Sequence, residues 1–262
     1  MRAVRRVSLA PEMVVRLAAA VTEIQSERTL AGRKRAARRV WGRKPRPLAL
    51  GEALSSALIE SNFGQDRCMF CESNETAGID HFETKALAPA RVADWDNLIL
   101  ACARCNGAGG KGAASPFRPG TRELAMLDPT GTHDPADHLA YSARGDMTSP
   151  TDLGRATIRR LKLSDGAKRP LLIRAREREW HHHNRDLLDY VTARLADNTF
   201  EELQARRRLC GGPFVGLLIY MLRQLDDVNA GVVFQAATLT ALRANREAVS
   251  ELLADLRPPP DE

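Results

Sequence analysis

No run of apolar residues in this 262-residue chain approaches the roughly 20 that a helical membrane span needs; the longest are the size of LLIYML at 217–222. The opening MRAVRRVSLAPEMVV is basic but has no continuous apolar segment and no small-residue cleavage site. A secretory leader is therefore not expected, and the expected compartment is the cytoplasm, with no membrane partner. No internal repeat is present, which argues against a solenoid or propeller. With 44% hydrophobic and 27% charged residues the composition excludes general disorder, and the length suffices for one or two domains with a real core. Nor is charge spread evenly. The net charge is +6, yet residues 1–50 alone hold 13 Lys and Arg against 3 acids, so the remainder is net acidic. Basic character confined to one end points to a polyanionic partner; a solvated basic helix face is the plainer reading.

Cysteine is scarce as well, with five in the chain, but four of them are patterned. Cys68 and Cys71 form one C-x2-C, Cys102 and Cys105 a second, with 30 residues between. In a reducing compartment disulfides are disfavoured, so paired knuckles read as a metal site. Each knuckle aims two thiolates at one ion, and two knuckles complete the tetrahedral four-sulfur shell that Zn2+ accepts. Such a shell leaves no open position, so the expected zinc is structural and numbers one. Cys210, in RRLCGGPFVGLL, reads as a small buried hydrophobe.

Hydrophobic spacing predicts a helix over 11–30 with Val14, Leu17, Ala18, Val21 and Ile24 on one face. A basic helix and then a loop follow over 31–47. A further helix is expected over 48–62 through Leu50, Leu54, Leu58 and Ile59. Residues 64–112 are rich in glycine and carry the cysteines, and 113–152 are rich in turn residues. Beyond 153 the pattern is helical. Ile158, Leu161 and Leu163 share one helix. A long helix over about 167–195 turns Leu171, Leu172, Trp180, Leu187, Leu188 and Val191 inward. Gly211-Gly212-Pro213 precedes an apolar helix, a last helix covers about 232–256, and the tail RPPPDE frays.

Between the knuckles, Asp80-His81 ends a predicted strand, Asn97 opens the apolar NLILA, and Asn106 follows the last patterned cysteine, where a helix would start. Phosphodiester hydrolysis needs residues of these kinds. A neutral imidazole can take a proton from water. A carboxylate and an amide oxygen suit a hard divalent cation that offsets charge on the phosphate and leaving oxygen. A further amide or carbonyl can hold the imidazole in one orientation.

The stretch from Cys68 to Gly112, through CMFC, IDHF, DWDNLILAC and CARCN, resembles the HNH endonucleases, whose fold is a ββα-metal module, here with embedded zinc knuckles. The resemblance implies His81 as general base and Asn97 as the residue that orients it and braces the loop. It implies Asp80 and Asn106 as ligands of a catalytic Mg2+ or Mn2+. Related sequences read C-N-x2-K-G; here GAGG separates Asn106 from Lys111, two residues more, and the resemblance would put Lys111 near the phosphate backbone if that glycine loop swings it inward. More diffusely, FRPGTRELAMLDPTGTHDPADHLAY and ATIRRLKLSDGAKRPLLIRAR resemble the PtuB-type HNH effectors of Septu-type and retron-associated anti-phage systems, which implies an ABC-type ATPase partner.

The expected protein is thus an α+β, helix-rich chain enclosing a small ββα-metal (HNH) module stabilised by a four-cysteine zinc site. Its expected parts are a basic helical region at 1–63, a zinc-bound nuclease module at 64–118, and a loop segment followed by helices at 119–262. The expected activity is metal-dependent endonucleolytic cleavage of DNA, with double-stranded DNA as the expected substrate. Arg33, Lys34, Arg35, Arg38, Arg39 and Lys111 are the candidate nucleic-acid contacts, though the basic helix would also suit an acidic face of an ATPase. Two other readings fit the same residues: a non-catalytic zinc adaptor bridging DNA and a partner protein, and an HNH nuclease acting on RNA or tRNA. His181-His182-His183 follow Trp180 on a helix and diverge by about 100° each, so they are read as helix-flanking rather than as one metal set. His133 and His138, beside Asp134 and Asp137, are read as loop surface.

Overall fold

The structure is a computed structural model and describes residues 1–42, 48–75 and 77–256. The loop expected near 43–47, the Leu50 side chain and the RPPPDE tail lie outside the described residues. The chain is α+β and helix-rich, with two small two-stranded sheets among the described residues. No helix there is long and apolar enough to cross a membrane. It divides into two compact units.

One unit comprises residues 4–69 and 74–130. It contains α1 (Pro11–Gln25), α2 (Leu30–Gly42), α3 (Leu48–Ser61), β1 (Ala77–His81), β2 (Leu98–Cys102) and the short α4 (Ala103–Asn106). Pro11 sits in the first turn of α1, where its missing N–H costs nothing. The buried stripe of α1 is Met13, Leu17 and Ile24; Leu17 and Ile24 face inward as expected, whereas Val14 is half exposed and Met13 is buried. The helix ends at Gln25 rather than running to 30, and α2 begins after a Thr29 hydroxyl accepts from Gly32 N–H at 3.0 Å, which caps its first turn. β1 and β2 pair antiparallel in the register Asp80↔Ile99 and His81↔Leu98. All five β2 residues are buried, so this strand is covered on both faces.

The other unit comprises residues 1–3, 70–73 and 131–262. After a hairpin of β3 (Ala140–Tyr141) and β4 (Met147–Thr148) it is helical: α5 (Asp152–Leu161), α6 (Pro170–Leu195), α7 (Thr199–Gly211), α8 (Val215–Arg223), α9 (Ala230–Val233), α10 (Ala236–Ala244) and α11 (Arg246–Leu256). Leu163 is buried but lies outside α5. Lys162 turns left-handed at φ 54°, and Leu163 N–H reaches back to Ile158 O at 3.0 Å, a 6→1 closure of the helix end. On α6, Leu172, Trp180, Leu187 and Val191 are buried as expected, but Leu171 is 73% exposed. One residue is 100° of helix, so both members of Leu171-Leu172 cannot face the same core. The helix expected over 232–256 is three helices. Asn245 leaves helical geometry (φ −132°, ψ 70°) and its Oδ1 accepts from Ala248 N–H at 3.2 Å, capping α11 and separating it from α10. The helix α7 lies in the stretch beyond 153 that the pattern reads as helical without delimiting a separate helix there.

Candidate metal centre and basic cleft

Cys68, Cys71, Cys102 and Cys105 are buried, and their four sulfurs all lie within 4.8 Å of one another. A zinc ion with Zn–S bonds of about 2.3 Å has sulfurs roughly 3.8 Å apart, so this set fits a four-thiolate ion with little adjustment. Local structure makes the grouping. Met69 N–H donates to Leu100 O at 2.9 Å, and Leu100 N–H points at Met69 Sδ at 3.4 Å, which pins the first knuckle alongside β2. The second knuckle begins on the last residue of β2 and continues into α4. The four cysteines can hold a metal ion such as zinc. No other group of His, Cys, Asp and Glu with metal-ligand geometry occurs among the described residues.

Next to this frame, the end of β1 carries Asp80 and His81, both buried and both lining a cleft. His81 Nε2 lies 2.9 Å from Val92 O. A carbonyl only accepts, so Nε2 carries a proton, and in the neutral ring the lone pair is on Nδ1. Trp41 of α2 meets the His81 ring edge-on, centroids 4.5 Å apart. Asn106 is the last residue of α4 rather than its start, because Gly107 follows and the glycine run cannot sustain a helix. With its amide nitrogen turned toward Asp80, Asn106 lies 3.0 Å from Oδ1 and 3.2 Å from Oδ2, leaving its carbonyl oxygen directed elsewhere.

Lys111 is drawn into the same place. Its ammonium is 2.9 Å from Asp80 Oδ2 and also donates to the His81 carbonyl; the Lys111 side chain is 1% exposed and that of Asp80 8%. The two extra residues of the GAGG loop make this possible by folding back over α4: Gly110 N–H donates to Gly107 O at 2.8 Å and Lys111 N–H to Cys105 O at 2.7 Å. A Cβ on Gly110 would stand 2.4 Å from the carbonyl oxygens of both Arg104 and Cys105, so only glycine permits that approach. Lys111 therefore faces a carboxylate rather than open solvent.

Asn97, expected to orient His81 and to brace the loop, bonds to the loop backbone. Its Oδ1 accepts from Glu83 N–H at 2.7 Å, and its Nδ2 donates to Glu83 O at 3.0 Å and Arg91 O at 2.9 Å. It braces the 83–91 loop, whose next residue supplies the Val92 carbonyl that orients His81. Arg91 and Arg122 close around the Glu83 carboxylate on the same loop.

The cleft has a volume of about 570 Å3. Asp80, His81 and Asn106 line it together with Lys34, Arg38 and Trp41 of α2, Thr84 and Lys85. Of the other basic candidates on α2, Arg33 donates to Glu27 O at 3.0 Å, Arg39 pairs with Glu23 at 2.9 Å, and Arg35 is exposed away from the cleft lining. Trp41, Lys85 and the Val92 carbonyl were not anticipated from sequence. Trp41 lies in the basic segment VWGRK, where it gives no signal of its own.

The remaining histidines stay apart. His181 is exposed, His182 faces Glu179 at 3.3 Å, and His183 is buried. Burial, only partly offset by the Phe214 backbone and Asp186, pushes the His183 imidazole down to about 4. His133 and His138 rings are 5.3 Å apart, but Asp134 and Asp137 are engaged by Arg223 at 3.1 and 2.8 Å. Cys210 is half-buried, and burial raises its thiol to about 11. No protein-family model matches the chain, and no curated protein does so either.

Proposed function

We propose that the cleft is the phosphodiester-cleaving site of an HNH-type endonuclease acting on DNA. The observation that carries this reading is the convergence of Asp80, His81 and Asn106 with Lys34 and Arg38 on one cleft, beside a four-cysteine cluster that suits a structural zinc. His81 is the base: Val92 O fixes its ring, and Nδ1 takes the proton from water. Asn97 is a positioning residue that acts through the 83–92 backbone. Asp80 and Asn106 are the residues that would hold Mg2+ or Mn2+, the Asn106 amide turning its oxygen toward the ion in place of the N–H that Asp80 now accepts; the ion would supply charge stabilisation at the phosphate. Lys111 contributes one positive charge to Asp80 and anchors the strand end at the His81 carbonyl. Lys34 and Arg38, which line the same cleft, meet the phosphate backbone.

The sequence resemblance to anti-phage HNH effectors supports a defence nuclease in the cytoplasm, acting with an ABC-type ATPase. The test is plasmid nicking with Mg2+ or Mn2+, with and without that partner, comparing wild type with His81→Ala. Wild type is expected to nick and His81→Ala to lose at least about a hundredfold in rate. Equal cutting by both would sink the assignment of His81. Absence of nicking by wild type under every condition would favour a zinc adaptor, and matched RNA substrates separate a ribonuclease from a deoxyribonuclease.

A further inference from the structure

We propose that Arg169, with Arg176 behind it on the same face of α6, is the buried counter-charge of the metal-bound Cys71 thiolate, so that holding the metal and holding the first turns of α6 are one linked equilibrium. This rests on a metal at the four-cysteine cluster and not on the cleft cutting DNA. Arg169 immediately precedes Pro170 and is 5% exposed. Its Nη2 lies 3.5 Å from Cys71 Sγ, and its Nη1 donates to Leu161 O at 3.3 Å. A thiol sulfur is a weak acceptor, whereas a thiolate beside a guanidinium gains a charge-assisted bond. The Ser73 hydroxyl lies on the same sulfur at 3.1 Å. Two helical turns on, Arg176 is fully buried and donates to Leu163 O at 2.6 Å.

Further buried charges lie around the knuckle residues 70–73. The buried cations are the Met1 ammonium, Arg2, Arg169 and Arg176. The carboxylate among them is Glu72, whose Oε2 takes the Met1 ammonium at 2.5 Å and whose Oε1 accepts from Gly216 N–H at 2.9 Å. Four neutral thiols offer no charge to a neighbouring guanidinium. Four thiolates around a divalent ion carry a net charge of −2, the sign that the Arg169 guanidinium on Cys71 Sγ complements.

The test uses the full chain. Zinc is titrated against a chromogenic chelator in wild type, Arg169→Met and Arg169→Lys, with circular dichroism at saturating zinc to confirm equal helix content. Arg169→Met is expected to release zinc about 10–100-fold more readily, the range for loss of an outer-shell partner. Arg169→Lys should recover part of that loss, keeping the charge but not the planar fork. Wild-type zinc affinity in Arg169→Met overturns the proposal. The reciprocal measurement needs no variant: stripping zinc from wild type should raise amide exchange over residues 171–178 at least about tenfold, as for a locally unfolding helix end. Unchanged exchange there overturns the linkage.

Discussion

Replacing Lys111 by Met tests the interior of the proposed site. The ammonium and the Asp80 carboxylate are 2.9 Å apart with side-chain exposures of 1% and 8%. At an effective dielectric of about 20 their attraction is about 6 kcal/mol before desolvation. The net cost of Lys111→Met is smaller, because Asp80 keeps the Asn106 amide as a neighbour and still borders the cleft. Breaking one side of a buried pair typically costs 3–5 kcal/mol, so about 3 kcal/mol is expected here. Urea unfolding at fixed zinc would measure it in a cycle with Asp80→Asn and the double variant. The double variant should be more stable than the sum of the singles by about 2 kcal/mol, since it removes both charges together. A phosphate-facing Lys111 makes a different set of predictions: little loss of stability, a coupling near zero, and a salt slope of DNA binding lower by about 1. That second pattern would refute the placement of Lys111 against Asp80 and the folded-back glycine loop that puts it there.

Lys34→Gln combined with Arg38→Gln should lower the slope of log K against log salt for duplex binding by about 2, the share of two phosphate contacts, while leaving the urea midpoint nearly unchanged; an unaltered slope would remove α2 from the nucleic-acid contact. The buried His183 gives a pH dependence. Its folded-state imidazole is held near 4, and its Nε2 has no hydrogen-bond partner. In the pH range between there and the ordinary histidine value the unfolded chain binds the extra proton, so this contribution is intact above about pH 6.5 and is lost as pH falls toward 4. The loss between pH 7 and pH 5 is about 2 kcal/mol for this one group, and His183→Gln should lose less by that amount when unfolding free energies are compared at the two pH values.

The parts of the site that were legible in sequence are those fixed by local geometry. Two C-x2-C turns each bring two sulfurs together within four residues, and a strand pair of matched length joins the turns. Asp80 and His81 are adjacent, so the strand that carries one carries the other. What sequence spacing does not encode is which groups meet across the fold. The carbonyl that holds His81 belongs to Val92, and a carbonyl exists at every residue, so no side chain marks it. Asn97 was readable as a brace, but its partners are backbone atoms of residues 83 and 91, chosen by how the intervening loop turns. Helix boundaries failed for a related reason. Hydrophobic periodicity continues through residues 232–256, and the break at Asn245 comes from one side chain capping the next helix.

The glycine loop shows how the two kinds of information combine. Counted along the chain, GAGG looks like an insertion that displaces Lys111 from its expected place by two residues. In space it shortens the path, because Gly107 and Gly110 accept a closer approach than any other residue would. Gly107 closes α4 onto Ala103 O, Gly110 passes within contact distance of the Arg104 and Cys105 carbonyls, and the next residue delivers its ammonium to Asp80. Cys105 is thereby tied twice, by its thiol to the sulfur cluster and by its carbonyl to Lys111 N–H. A change that loosens the second knuckle must then also move Lys111, and with it the charge on the carboxylate that borders the cleft. The metal frame and the proposed catalytic groups are in this sense one mechanical unit, connected through three consecutive turns of backbone rather than through a side-chain network.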